Sequence, residues 1–352
     1  CCATGDQMND TPTPEATRHT DGLAYAQELF ADGLIDDAIS VLEADIELQE
    51  SMEKLSWLMQ IRHRGFFKKT TLSGHDVWPP RVGPSEFVSG AIPETTPEAL
   101  DAGLMARGIM NHGSLIVRGL LDPQTVEELK ACVDHAIDAY DQLASNQGCS
   151  EWFSPLRPCE QNGDVRVARK WVRDGGGVLA GDSPKALFKL IRMLKQQAIL
   201  PVIADYLGEP PALSLKKTTL RRVTPDSKGG WHQDGAFLGQ GIRTLNLWIA
   251  LSDCGVDAPS MDMIPARLDR IVPTGMDGAD FGWSVGDKAI LNGVVGHTPV
   301  RLRFRAGDVI FFDEMNLHRT AADESMTSAR HAIEAWFFAP SAYPLGQIPI
   351  LC

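Results

Sequence analysis

The sequence predicts an α+β protein whose β-rich core is an antiparallel barrel or sandwich with helices packed outside it. Two observations indicate this class. Before about residue 210, apolar residues recur at helical spacing; the later segments are rich in β-branched and aromatic residues and are separated by Gly, Pro and Asp turns. The chain has 352 residues, which is long for one domain, so we expect a large domain with an appendage.

The first hundred residues are predicted to form the appendage and its connection. Apolar residues recur at helical spacing over 21–61 and are interrupted by DGLID, which predicts two antiparallel helices. A single hairpin cannot bury its own apolar face, so it either caps the main domain, which we favour, or contacts a partner protein. We therefore expect an N-terminal segment with a helical hairpin over 1–74, a Pro/Gly-rich linker or arm over 75–102, and the main domain over 103–352.

The main domain is predicted to begin with helices and to continue with strands. A helix near 97–110 precedes a buried strand, GSLIVRGLL, and the next helix begins with Asp122 as N-cap and Pro123 as its first residue. Residues 143–185 have little periodicity and are expected to form an ordered wall or lid. One helix is then predicted over PKALFKLIRMLKQQAILPVIADYLG. The predicted strands lie in ALSLKKTTLRRV, IRTLNLWIALSDC, DRIVPTG, PVRLRFRAGDVIFFD and RHAIEAWFFAP.

Composition excludes several classes of function. The formal net charge is −13, which disfavours nucleic acid and anionic membranes as partners because both require a basic surface. No apolar run approaches the roughly 20 residues that span a bilayer, and the N-terminus lacks the pattern of a secretory signal. The seven cysteines are scattered without a CxxC pair, so neither a disulfide framework nor a zinc ribbon is indicated. We predict a cytoplasmic protein.

The stretch GGWHQDGAF, residues 229–237, carries the first candidate metal ligands. His232 and Asp234 are two positions apart, and on an extended strand such side chains point to the same face. Two ligands are too few to hold a metal, and this short pattern also arises by chance as a histidine beside a turn aspartate.

His318, in RFRAGDVIFFDEMNLHRTA, supplies a third candidate ligand after a predicted strand. Two histidines and a carboxylate on one face form the triad typical of non-heme Fe(II) oxygenases, whose open face accepts a bidentate co-substrate and dioxygen. Zinc sites use the same ligand types, so the ligands alone leave the identity of the metal open.

Arg330 provides a second line of evidence for an oxygenase. It lies twelve residues after His318 and opens the predicted strand RHAIEAWFF. A guanidinium at this point can hold a carboxylate through two hydrogen bonds. A surface salt bridge would be the ordinary interpretation of a lone arginine, but its combination with the triad favours a carboxylate site.

Three segments resemble the phytanoyl-CoA dioxygenase family of Fe(II)/2-oxoglutarate oxygenases. They are WHQDGAF, LNLWIALSDC and AGDVIFFDEMNLHRTAADESMTSARHAIEAWF, and the resemblance extends over about residues 103–340. It implies a double-stranded β-helix of the jelly-roll or cupin type with flanking helices. One turn departs from the family pattern: after Pro265, Ala266, Arg267 and Leu268 replace the small residues and histidine that many members carry.

The resemblance also implies cofactors and residue roles. Fe(II), 2-oxoglutarate as co-substrate and dioxygen are implied. The implied iron ligands are His232, Asp234 and His318. The implied contacts to 2-oxoglutarate are Arg330, Thr320 and Gln233, with Trp248 close to the co-substrate.

Alternation along two strands adds two weaker candidates. In RTLNLWIAL one face carries Asn246 and Trp248 and the other is apolar. A polar face inside a barrel is costly unless it lines a site, so Asn246 is a pocket candidate. In LSLKKTTLRRV the face of Lys216, Thr218 and Arg222 alternates with that of Lys217, Thr219 and Arg221. The pattern does not decide which set points inward; we select Thr218.

We therefore predict a dioxygenase that hydroxylates a C–H bond of a small molecule and releases succinate and carbon dioxide. The resemblance implies that a carboxylate at position 234 favours hydroxylation over halogenation; desaturation, ring formation and epimerisation stay open. Arginines in 143–185, namely Arg157, Arg166, Arg169 and Arg173, either meet an anionic substrate or offset the acidic surface. Two alternatives are a metal-binding β-barrel that works without 2-oxoglutarate and a non-catalytic scaffold. The oligomeric state stays open.

Overall fold

The computed structural model describes residues 21–69, 78–144, 150–160, 165–227, 229–291, 293, 296–344 and 346–352. Residues 1–20 and 70–74 of the predicted N-terminal segment lie outside the described residues, as do residues 75–77 of the predicted linker or arm. The helices are α1 (Gly22–Ala31), α2 (Ile35–Leu48), α3 (Met52–Lys69), α4 (Ala102–His112), α5 (Pro123–Ala144), α6 (Arg169–Asp174), α7 (Pro184–Gln196), α8 (Ile199–Leu207), α9 (Gly235–Leu238) and α10 (Asp287–Leu291), with 3-10 turns at Pro97–Ala99, Ala180–Asp182 and Pro340–Ala342.

The strands form a large and a small sheet. They are β1 (Glu94–Thr95), β2 (Ser114–Val117), β3 (Gly177–Leu179), β4 (Ala212–Ser214), β5 (Thr219–Val223), β6 (Thr244–Ala250), β7 (Ser260–Arg267), β8 (Val300–Arg301), β9 (Val309–Phe312), β10 (Asn316–Ala321), β11 (Arg330–Phe338) and β12 (Pro349–Leu351). The large sheet has the order β1-β2-β9-β6-β11-β4-β12, with β5 pairing β11 and β3, and the small sheet has the order β10-β7-β8. All pairings except β1–β2 are antiparallel.

Alternating side chains of the large sheet divide the core into two layers. On β6, Leu245 and Leu247 face a cluster shared with α4, α5, α7 and α8, whereas Trp248 faces a second cluster shared with Met261 and Met263 of the small sheet. The molecule is thus a mixed α/β structure in which helices cover one face of the large sheet and the small sheet covers part of the other. The predicted two-faced pattern of β6 is confirmed.

Residues 21–69 fold as three helices rather than as the predicted hairpin of two. DGLID interrupts the first two helices as predicted, but the helical periodicity hides a second break at Gln49–Ser51. Ser51 caps α3 there, because its Oγ accepts a hydrogen bond from the amide of Lys54 at 3.2 Å. The third helix docks on the main domain: Arg62 Nη1 donates to the carbonyl of Leu351 at 2.8 Å, and α3 packs against β12 and α7.

Several other predicted elements are shorter or divided. The helix predicted over 184–208 is two helices, because Ala198 takes the left-handed conformation at φ 52° and Pro201 then falls in the first turn of α8. The strand predicted over ALSLKKTTLRRV is divided by a turn at 215–217 into β4 and β5. DRIVPTG is irregular, and the strand lies just before it, in β7. Within the part of the chain that the structure describes, no helix is both long enough and apolar enough to cross a bilayer.

Buried His63 joins the N-terminal helices to two other segments. Its Nδ1 lies 2.6 Å from the carbonyl of Pro349, and its Nε2 accepts from the amide of Cys159 at 3.2 Å. This arrangement requires the neutral ring, and burial lowers the pKa of His63 below 6.5 despite the hydrogen bond to Pro349.

We expect this histidine to make stability depend on pH. Because its folded pKa lies below the unfolded value of 6.5, its contribution is complete above that value and is lost as the pH falls toward the folded pKa. Urea unfolding of the wild type and of His63→Asn at pH 7.5 and 5.5 checks this: the variant should lose less stability on acidification. The exposed-ring control His135→Asn should behave as the wild type; a wild-type pH response in His63→Asn would contradict the assignment.

Candidate functional site

Main-chain hydrogen bonds bring His232 and His318 together. The amide of each residue donates to the carbonyl of the other, at 2.9 and 3.0 Å. His318 lies on β10, and His232 lies in the loop that precedes α9. The loop approaches so closely because Gly229 has no side chain: a Cβ there would lie 2.8 Å from the amide nitrogen of Thr320.

Asp234 reaches the two histidines by a different route from the predicted one. Its backbone has helical dihedrals, φ −63° and ψ −25°, at the residue directly before α9. The expectation of an extended strand over His232 and Asp234 is therefore wrong, although the side chains converge. The next residue, Gly235, packs against the turn that leads into β10, where its amide donates to the carbonyl of Glu314 at 2.9 Å.

The three candidate ligands form one compact cluster. One nitrogen of each histidine and one oxygen of Asp234 all lie within 4.8 Å of one another, and Asp234 Oδ2 is 3.7 Å from His318 Nε2. His232 Nδ1 lies 2.9 Å from the carbonyl of Gly230, and His318 Nδ1 lies 3.2 Å from that of Asn316. A carbonyl only accepts, so each Nδ1 carries the proton and each Nε2 keeps its lone pair for a metal.

Burial and neighbouring charges keep His318 and Asp234 in the protonation states that can bind a cation. Burial lowers the pKa of His318 to about 4, so its ring is neutral at physiological pH. Burial alone would raise the pKa of Asp234, but Lys217 and the two histidines hold it below its usual value.

The donor set fits a divalent metal. Asp234 Oδ2 is buried and has no hydrogen-bond partner among the described residues, and a buried carboxylate oxygen without a partner is costly. Two imidazoles and one carboxylate on one side of an open cavity match the facial triad of non-heme Fe(II) sites. The cluster can therefore hold iron without rearrangement of its hydrogen bonds to the main chain.

Arg330 is a buried cation that also lines the cavity. Its side chain is 2% exposed, its Nη1 donates to the carbonyl of Ser260 at 3.0 Å, and its guanidinium carbon lies 5.4 Å above the ring of Trp248. Burial lowers its pKa to about 10, so it stays charged at neutral pH. No carboxylate of the described residues forms an ion pair with it, and its Nε lacks a partner.

The cavity has a volume of about 220 Å³ and brings together most of the predicted residues. The predicted residues that line it are His232, Asp234, His318, Arg330, Thr320 and Trp248. The other three, Gln233, Asn246 and Thr218, do not line it.

Gln233 is occupied by main-chain groups. Its Nε2 donates to the carbonyls of Arg270 and Met315, and its Oε1 accepts from the amide of Val272. The residue between the two ligands therefore points away from the cavity and fastens the loop. The contact to 2-oxoglutarate that the resemblance implied for Gln233 is not present in this arrangement.

Asn246 and Thr218 also lie outside the lining of the cavity. Asn246 is buried and its Nδ2 lies 3.5 Å from Glu334 Oε1, so it contacts a residue of the cavity wall rather than the cavity. Thr218 follows the turn at 215–217 and is fully buried. It lies on the same face of the large sheet as Leu220, which belongs to the apolar cluster under the helices. The opposite set, with Lys217, Thr219 and Arg221, lines the cavity.

Glu334 is a cavity residue that the sequence interpretation missed. It lies on β11 four residues after Arg330 and faces the same side. Its Oε2 accepts from Thr219 Oγ1 and from Arg221 Nε, both at 3.0 Å. Burial would raise its pKa, but Arg221 and Lys217 hold it well below the usual range. The sequence did contain a signal for Glu334: in the predicted strand RHAIEAWFF it is four positions after Arg330, and such residues point to the same face of a strand.

The mouth of the cavity is aromatic. Trp171 of α6 is 63% exposed and Phe237 of α9 is 49% exposed, and Trp283 lies 6.2 Å from the ring of Phe237; all three line the cavity. The loop-rich segment 143–185 thus contributes a wall, as predicted.

Ion pairs hold that wall in place. Arg169 Nε pairs with Asp182 at 2.8 Å, and Arg173 Nη2 pairs with Asp141 at 2.7 Å. Two of the four arginines considered for an anionic substrate are therefore engaged in fixing α6.

Several solved structures are similar to this chain. No curated protein matches the chain. Among solved structures it is similar to SnoK, a non-heme α-ketoglutarate-dependent carbocyclase from nogalamycin biosynthesis (19% identity, 70% of this chain and 86% of that chain covered, TM-score 0.44), and to AviO1 from Streptomyces viridochromogenes Tue57 (19%, 70% and 99%, 0.46). It is also similar to EctD from S. alaskensis, solved with 2-oxoglutarate and 5-hydroxyectoine (16%, 75% and 83%, 0.48).

The sequence model of the phytanoyl-CoA dioxygenase (PhyH) family matches residues 109–332. This range is more than half of the chain and contains the three clustered ligands and Arg330. The chain belongs to the phytanoyl-CoA dioxygenase family of non-heme Fe(II)/2-oxoglutarate-dependent oxygenases.

Proposed function

We propose that this enzyme hydroxylates a C–H bond of a small molecule and converts 2-oxoglutarate to succinate and carbon dioxide. The observation that carries the proposal is Arg330: a buried, charged guanidinium without an anionic partner among the described residues shares a cavity with the His232–Asp234–His318 cluster. A dicarboxylate suits this pair of features, because one end can bind the metal and the other can neutralise the arginine.

The predicted residues that line the cavity have separate parts in this proposal. His232, Asp234 and His318 hold the iron, and the iron, when bound, supplies the activation of dioxygen. Arg330 binds the distal carboxylate of 2-oxoglutarate, with Thr320 and Trp248 beside it. Because a carboxylate is present at position 234, hydroxylation is favoured over halogenation. Product mass distinguishes the remaining outcomes: a gain of one oxygen for hydroxylation, a loss of two hydrogens for desaturation or ring formation, and no change for epimerisation.

The arrangement of the sheets supports a double-stranded β-helix. The small sheet packs over part of the large one, and the apolar cluster around Trp248 and Trp336 lies between them. We propose that residues 103–352 form this oxygenase domain, that 75–102 is an arm rather than a free linker, since Trp78 packs edge-on against Tyr206 at 5.6 Å, and that the segment within 1–74 is a cap.

The aromatic mouth supports a substrate with a flat or apolar ring. The cavity is small, and 2-oxoglutarate would occupy its inner part, so the bulk of a substrate must lie between Trp171 and the pair Phe237–Trp283. Apart from Arg330, the cationic side chains of the cavity have partners within the protein: Lys217 pairs with Asp234, Arg221 pairs with Glu334, and Lys216 donates to the carbonyl of Gly346. These contacts support binding by ring contacts rather than the anionic substrate that the sequence suggested.

Replacing Arg330 tests the function itself. Truncating one partner of a buried charged pair costs about 2–5 kcal/mol, so Arg330→Ala should weaken 2-oxoglutarate binding by roughly 30-fold or more and leave Fe(II) binding intact. Anaerobic titration of the Fe(II) protein with 2-oxoglutarate, followed through the visible charge-transfer band, measures both.

The controls separate this function from its rivals. Arg301→Ala removes a half-exposed arginine that pairs with Asp262 outside the cavity and should titrate as the wild type. A wild type that binds metal without a 2-oxoglutarate band would indicate the metalloprotein alternative, and one that binds neither would indicate the scaffold. Unchanged 2-oxoglutarate affinity in Arg330→Ala would contradict the proposed role of this residue.

Replacing Trp171 tests the substrate class. Among small molecules screened for stimulated succinate release, we expect ring-bearing ones to be turned over. Aromatic pairs contribute about 0.5–1.5 kcal/mol, so Trp171→Ala should raise the KM for such a substrate about three- to tenfold with little change in kcat. The control Leu48→Ala, at an exposed apolar residue of α2 that does not line the cavity, should leave KM unchanged. Turnover of linear molecules only, or an unaltered KM in Trp171→Ala, would exclude binding by ring contacts.

A further inference from the structure

Lys217 makes a direct contact with the carboxylate of the candidate metal cluster. Its Nζ donates to Asp234 Oδ1, while the other oxygen, Oδ2, faces His318 Nε2 at 3.7 Å and has no hydrogen-bond partner among the described residues. The two oxygens of Asp234 are therefore not equivalent: one is held by an ammonium group and one is free on the side of the histidines.

The local structure fixes Lys217 in this position. The residue ends the turn at 215–217, where its amide and that of Thr218 donate to the carbonyl of Ser214, at 3.3 and 2.9 Å. The Nζ also lies 5.1 Å from the ring centre of Trp336, so the ammonium group is attracted to an aromatic face as well as to the carboxylate. The side chain is 24% exposed, against 3% for Asp234, so solvent screens this ion pair only partly.

The adjacent lysine has no such role. Lys216 leaves the same turn in another direction, and its Nζ donates to the carbonyl of Gly346 at 2.9 Å. It forms no ion pair with a carboxylate of the described residues. The chain thus offers two neighbouring lysines at one cavity, of which one holds a candidate iron ligand and the other does not.

We propose that Lys217 is a positioning residue that makes Asp234 a one-oxygen ligand of the iron. This inference rests on the proposed function. With Oδ1 engaged by the ammonium group, only Oδ2 is available to the metal, and the ligand set stays at two nitrogens and one oxygen.

The number of ligand atoms matters because of what else must bind. Three protein atoms leave three positions, which suffice for a bidentate 2-oxoglutarate and dioxygen together. A carboxylate that binds through both oxygens would take one of these positions. Lys217 thereby affects the binding of 2-oxoglutarate through Asp234, although the proposed contact to the distal carboxylate is Arg330.

This role predicts opposite effects on the two ligands. Removing the ammonium group takes a positive charge away from the metal and frees Oδ1 to bind it, so Fe(II) affinity should be unchanged or higher in Lys217→Met. The affinity of the Fe(II) protein for 2-oxoglutarate should fall about tenfold, and its charge-transfer band should weaken. A lysine that merely stabilised the fold would not separate the two affinities.

The experiment measures Fe(II) binding by anaerobic calorimetry and 2-oxoglutarate binding by the visible charge-transfer band. The four proteins compared are the wild type, Lys217→Met, Lys217→Arg and Lys216→Met. Lys217→Arg, which keeps the charge, should restore most of the 2-oxoglutarate affinity, and Lys216→Met should match the wild type in both measurements. Circular dichroism verifies that each variant is folded.

The outcomes distinguish this inference from the function on which it rests. A wild type without a 2-oxoglutarate band would refute the proposed function. A wild type with the band, together with wild-type 2-oxoglutarate affinity in Lys217→Met, would refute only the role of Lys217. Equal losses of Fe(II) and 2-oxoglutarate affinity would also refute it, because Lys217 would then support the ligand as a whole rather than restrict it to one oxygen.

Discussion

The two main-chain hydrogen bonds between His232 and His318 are the interaction on which the candidate site depends. They join a loop that follows β5 to a strand of the small sheet, and they direct both imidazoles to the same side, where the N-cap residue of α9 adds its carboxylate, Asp234. Two glycines before His232 make this approach feasible, since a Cβ on Gly230 would lie 2.5 Å from Cβ of Ser284. The ligand geometry is thus set by backbone packing, and the side chains need only be of the right chemical type.

The cavity beside the large sheet contains paired charges and, in the described part of the chain, one buried, unpaired cation. One face of the sheet is apolar and packs under the helices, whereas the cavity on the other side contains two ion pairs, Lys217 with Asp234 and Arg221 with Glu334. Buried charges are tolerated when they are paired. Arg330 is a fully buried cation of the cavity without a carboxylate partner among the described residues, whereas Lys216, which also has none, is only half-buried and donates to a main-chain carbonyl. An unpaired, fully buried cation favours an anionic ligand at that point.

Much of the fold and of the site could be predicted because the relevant signals are local. The N-cap at Asp122 marks α5, where the amide of Thr125 donates to Asp122 Oδ1 at 2.9 Å, and the alternation along β6 assigns its two faces correctly. Boundaries were less predictable: the breaks at Ser51 and Ala198 occur inside continuous helical periodicity, because they depend on a cap and on one left-handed residue rather than on a change in hydrophobic pattern.

The sequence by itself determined which residues can bind iron and a carboxylate. The histidines of HQD and LHRT and the aspartate of HQD are chemically suited to iron, and the arginine that opens β11 is suited to a carboxylate, wherever their side chains converge. It could not determine where Gln233, Thr218 and Lys217 point. A turn at 215–217 reverses the choice of inward face on β5, and main-chain partners from 270–272 and 315 capture the amide of Gln233. Only the tertiary structure decided these directions, because each depends on partners far away in the chain.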